Sequence, residues 1–117
     1  MTAKLLLTCC VLLSAAAQCP EPTSKLATAF ECAFPFDPTV QAARSYLQKR
    51  DKNAQIDVDK GRLTSKSKAE TVVIWIEQKD AKVKLRVEVR PGGQMPLLGE
   101  STDAMRQLRL HLLGELH

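Results

Sequence analysis

The sequence predicts an α+β protein: a two-layer sandwich in which a four-stranded antiparallel meander carries two helices on one face, in the order α-β-β-β-β-α. Three observations point there. Residues 82–90 alternate strictly, with Val83, Leu85, Val87 and Val89 on one side and Lys82, Lys84, Arg86, Glu88 and Arg90 on the other, as a half-buried strand does. Residues 71–78 are a β-branched partner for it, and residues 55–65 contain a shorter pair of the same kind. Apolar residues at helical spacing flank this region: Val40, Ala43 and Leu47 before it, Met105, Leu108, Leu112 and Leu116 after it.

Residues 1–17 have the layout of a signal peptide. Lys4 is the positive end, Leu5 to Leu13 form the apolar run, and Ala15, Ala16 and Ala17 are the small residues a cleavage site requires. The run is shorter than the roughly 20 residues of a membrane span. Cleavage is expected after Ala17, leaving Gln18 first and removing Cys9 and Cys10. Cys19 and Cys32 remain, in an oxidising space. Three fates stay open for them: a mutual disulfide, lipidation of Cys19, or free thiols.

Residues 18–36 form a Pro- and Phe-rich segment. Pro20, Pro22 and Pro35 oppose long regular structure, and residues 24–32 read as a short helix or an edge strand. Phe30, Phe34 and Phe36 are all the phenylalanines of the chain. Their expected role is to cover one end of the core; the alternative is an exposed docking arm.

The α+β domain then spans residues 37–117. Asp37 is placed to cap a helix with Pro38 in its first position, Tyr46 beside the apolar stripe and Asn53 as the stop. In the first hairpin Lys60-Gly61 is the turn, Gly61 takes positive φ, and Val58 faces Leu63. Residues 65–70 read as a polar connector. A two-residue loop at Asp80-Ala81 sets Ile76 opposite Leu85, Ile74 opposite Val87 and Val72 opposite Val89 on an oily face. The same register sets Trp75 opposite Arg86, and Glu77 opposite Lys84, on a charged face. Pro91-Gly92-Gly93 ends the strand, residues 94–100 form a loop, and Ser101 or Thr102 caps the last helix. On that helix Leu113 packs and Leu110 is exposed.

Length and composition limit what such a chain does. With 117 residues and 4% aromatics, it builds one aliphatic core. The net charge of +4 falls to +3 once Lys4 leaves with the signal peptide. That mild excess favours anionic surfaces without requiring them.

An export segment followed by D-P-T-V-Q-A-A-R-S-Y-L, then I-D-V-D-K-G-R-L, paired strands and a closing helix resembles small bacterial envelope proteins of unknown function, many of them lipoproteins with a helix, β-meander, helix layout. The resemblance covers roughly residues 37–116 as a pattern. It implies an envelope location and assigns no catalytic residue. Gln18 stands where such lipoproteins place a small residue.

Motifs for chemistry are sparse. His111 and His117 are the only histidines, no nucleophile elbow or phosphate loop is present, and Cys32 lacks a catalytic signature. The alternating acids of residues 51–59 lack the glycine and terminal glutamate of a calcium loop, so neither metal nor cofactor is expected. What remains is the outward face of the long hairpin. The expected function is therefore that of a non-catalytic exported domain, periplasmic or secreted. It binds a protein partner or an anionic envelope surface through Trp75, Arg86, Lys84 and Arg90. Nucleic acid is not an expected partner, and a membrane is one only if Cys19 is lipidated. The alternatives are a self-associating structural protein and an enzyme of unrecognised type using Asp57, Asp59 or His111.

Overall fold

The computed structural model describes residues 18–92 and 95–116 of the chain. The predicted signal peptide, with Cys9 and Cys10, and His117 lie outside them. The element order is β1 (Ala29–Cys32), α1 (Phe36–Arg50), β2 (Gln55–Asp59), β3 (Arg62–Lys66), β4 (Glu70–Lys79), β5 (Lys82–Pro91) and α2 (Leu98–Leu116). The sheet has five strands rather than the four read from the sequence, in the spatial order β1-β5-β4-β3-β2, all antiparallel.

The central hairpin has the register that its alternation dictates. Ile76 faces Leu85, Ile74 faces Val87, and Val72 faces Val89. All six are buried, as are Leu63 on β3 and Val83 on β5. The helices cover this side. From α1 come Val40, Ala43, Tyr46 and Leu47; from α2 come Ala104, Met105, Leu108 and Leu112. Leu113 and Leu116 pack at the margin, whereas Leu110 points to solvent at 63% exposure.

The added strand arises from the proline-rich segment. Phe30 pairs with Leu85 and Cys32 with Val83, so both side chains enter the oily layer. Phe34 is buried beside them and Phe36 partly so, which makes the rings core cover and not a docking arm. A disulfide joins Cys19 to Cys32, which excludes lipidation of Cys19 and free thiols in this fold. Both sulfur residues are buried. Closing so short a loop limits the unfolded chain and contributes about 3 kcal/mol.

Four local readings are corrected. Helix α1 begins at Phe36 with Pro35 as the preceding residue; Asp37 lies inside its first turn and makes no cap. Instead Thr39 Oγ1 donates to the Pro35 carbonyl at 2.6 Å. In the β2–β3 turn Lys60, not Gly61, takes positive φ, at 54°. Gly61 is needed for a different reason: its carbonyl accepts from Ile76 N–H at 2.6 Å, and a Cβ there would fall on the Ile76 carbonyl oxygen. Residues 65–66 belong to β3, with Ser65 buried on the oily side. Finally, α2 starts at Leu98, so neither Ser101 nor Thr102 is its cap.

Ser101 has another task. Beyond β1 the outer edge of β5 would be bare, and it is closed piece by piece. Val87 N–H donates to Thr28 O at 2.9 Å, Val89 N–H to Ser101 Oγ at 2.9 Å, and Leu97 N–H to Val89 O at 3.0 Å. A helix side chain and a loop amide thus satisfy backbone groups that a sixth strand would otherwise pair.

Candidate binding face

The side of the sheet away from the helices is open. Strand registers arrange its side chains in rows. The middle row crosses all five strands: Asp59, Arg62, Trp75, Arg86 and Ala29. Trp75 is half-buried there, and the Arg86 guanidinium carbon lies 4.2 Å from the indole centroid. Such cation–π stacking is worth about 0.5–1 kcal/mol at an exposed position. On the row nearer the hairpin tip, Glu77, Lys84 and Glu31 lie side by side.

The four predicted site residues are not equivalent. Trp75, Arg86 and Lys84 line one shallow depression of about 500 Å³ together with Arg62, Asp59 and Glu77. Gly61 and Ile76 also line it. Arg90 shares the face but not the depression. It lies four residues farther along β5, about 13 Å at strand rise, and pairs with Glu88 at 3.1 Å. The residue that sequence reasoning left out of the cluster is Arg62. Its outward direction was legible from the alternation of β3. Its position beside Trp75 required the β3–β4 register, which the polar residues between those strands do not specify.

The electrostatics of the face are mixed. In the four rows around Trp75, the basic groups Arg62, Lys66, Lys84, Arg86 and Arg90 alternate with the acids Glu31, Asp57, Asp59, Glu77 and Glu88. Lys79 and Lys82 add positive charge only at the hairpin tip. Asp59 is 4.0 Å from Arg62, a loose and exposed pair. This is a mosaic around an aromatic centre and not a uniformly basic sheet.

The residues of the enzyme alternative are not brought together. Asp57 and Asp59 are exposed on the open face of β2, and His111 sits in the helix layer on the other side of the sheet. His111 Nε2 lies 3.2 Å from Glu115 Oε1 but out of line for a hydrogen bond. Among the described residues no three His, Cys, Asp or Glu side chains converge as metal ligands would.

A second polar cluster lies between the helices and the start of β4. Arg50 grips Glu70 through two bonds, Nε to Oε1 and Nη2 to Oε2, each 3.2 Å. Arg50 Nη1 also donates to Tyr46 Oη at 3.2 Å and to Gln107 Oε1 at 3.1 Å, and Tyr46 Oη donates to Gln107 Oε1 at 3.0 Å. Burial raises the Tyr46 phenol above its usual range, against the opposing pull of Arg50. Burial alone would lower Arg50, but its bonds to Glu70 and Tyr46 outweigh that and raise it. The cluster is closed on itself and fastens α1, α2 and β4 together; it presents no free group for chemistry.

Comparison with protein families, with curated proteins and with solved structures gives no match for this chain.

Proposed function

We propose that this chain is an exported, non-catalytic binding domain, periplasmic or secreted, whose open sheet face receives a protein partner at Trp75, Arg86, Lys84 and Arg62. The buried Cys19–Cys32 disulfide supports an oxidising compartment. No helix among the described residues is long and apolar enough to cross a membrane.

One observation carries the reading: a half-buried indole stands between two arginines, beside an open depression. Stacking on Arg86 accounts for the tryptophan's stability but not for the depression. Tryptophan and arginine are the side chains most enriched at the energetic centres of protein interfaces. A mosaic of both charge signs suits a protein surface that presents the complementary mosaic, and suits a uniformly anionic envelope surface less well.

The test is recovery of a partner from the native host by the unaltered protein and by the Trp75→Ala, Arg86→Ala double variant. The variant is expected to keep its circular dichroism and lose the partner. Equal recovery by both proteins contradicts the proposal.

Self-association is the second reading, and a different surface favours it. Among the described residues Leu26, Met95, Leu97, Leu98 and Leu110 are large, apolar and exposed. Lys25 O accepts from Arg106 Nη2 at 3.2 Å, which brings Leu26 close to the turn that carries Leu110. Light scattering decides: a monomer at micromolar concentration rejects this reading, and a dimer lost in Leu110→Gln supports it.

A further inference from the structure

We infer that Gln18 becomes the amino-terminal residue and closes into a pyroglutamate ring, so that the mature chain begins with a neutral lactam tied to the fold. The inference rests on the export reading, because cleavage between Ala17 and Gln18 must first expose the Gln18 α-amine.

The chemistry is intramolecular and balanced. The neutral α-nitrogen of Gln18 attacks its own side-chain carbon Cδ. A new N–Cδ bond forms, the Cδ–Nε2 bond breaks, and Nε2 leaves as ammonia after taking the proton lost by the α-nitrogen. No oxidant, reductant or co-substrate enters. The product is a five-membered ring whose carbonyl oxygen is the former Oε1.

Three features of the structure favour this at Gln18. First, the residue is fixed from both sides of its carbonyl end. Ala33 N–H donates to Gln18 O at 2.7 Å, the next residue is the disulfide-bonded Cys19, and Arg109 Nε donates to Cys19 O at 2.8 Å. The new terminus is therefore held against the body and does not fray. Second, Gln18 is half-buried. A neutral lactam fits such a position without the hydration that a charged ammonium requires. Third, Gln18 Oε1 is buried without a hydrogen-bond partner. No bond to that oxygen has to break when the amide turns onto its own nitrogen. A buried polar atom without a partner is rare enough to need a reason. The consequence is a chain end with no amine for an aminopeptidase to grip, one residue before the disulfide that fastens β1.

Intact mass of the full chain after expression in an export-competent host tests this. The expected mass is that of residues 18–117, less the two hydrogens of the disulfide and less one ammonia, with no free amino terminus in Edman sequencing. A Gln18→Asn variant, whose shorter side chain would have to close a four-membered ring, is expected to retain its ammonia and give a readable terminus. A mass of residues 18–117 with the ammonia still present overturns the ring while leaving cleavage and export standing. Any other amino terminus overturns both.

Discussion

At the scale of single residues, Gly61 and Tyr46 carry the sharpest consequences. Gly61 is fixed by the approach of β4: its missing side chain is what lets its carbonyl receive Ile76 N–H. A Gly61→Ala substitution should lower stability by about 1–3 kcal/mol, the usual cost of forcing extra volume into a packed site, read as a shifted urea midpoint with an unchanged slope. Tyr46 gives a pH dependence. Its phenol holds its proton more tightly folded than unfolded. The resulting stability is complete below the unfolded value near 10 and is lost as pH rises through the higher folded value. Tyr46→Phe should therefore flatten the fall in stability on the alkaline side. It should also cost about 1 kcal/mol at neutral pH through the hydrogen bonds to Arg50 and Gln107. An alkaline melting profile unchanged in the variant would contradict this. The candidate site was legible at this scale only in part. Trp75 and Arg86 declare themselves because a strict alternation fixes both their side and their register. Arg62 lines the depression and Arg90 lies outside it, because distance along a strand is not visible in a list of outward residues.

At the scale of elements, the long hairpin and both helices follow from local pattern, whereas β1 is the edge strand, one of the two readings that residues 24–32 allow. Residues 29–32 contain no β-branched side chain, span only four positions and lie between prolines. What makes them a strand is pairing with β5, some fifty residues away in the chain, and the disulfide at Cys32. Such non-local causes leave no periodicity to read. The start of α2 was misplaced for a related reason. Ser101 has the chemistry of a cap, but the bare edge of β5 lies within its reach and claims the hydroxyl. Ser101→Ala should leave Val89 N–H without a partner at a buried site, at a cost of about 1–3 kcal/mol. Hydrogen exchange at the Val89 amide should speed up selectively, while amides of the β3–β4 pairing keep their protection. Uniform loss of protection would mean that Ser101 supports the core generally and not the strand edge.

At the scale of the whole molecule, the two faces of one sheet divide the work. The helix-covered face holds the aliphatic core, supplemented by Phe30, Phe34 and the disulfide, and the polar cluster of Tyr46, Arg50, Glu70 and Gln107 clamps the layers at one end. The opposite face carries only surface interactions among the described residues, the Trp75–Arg86 stack and the Arg90–Glu88 and Arg62–Asp59 pairs among them. The proposed function requires that division: under it the open face meets a partner and the helix face does not. Photo-crosslinking in the native host compares them directly, with a benzophenone side chain placed at Thr64 on the open face or at Leu110 on the outside of α2. The account predicts a discrete protein adduct from Thr64, lost when Trp75→Ala is added, and none from Leu110. An adduct from Leu110 with nothing at Thr64 would contradict it.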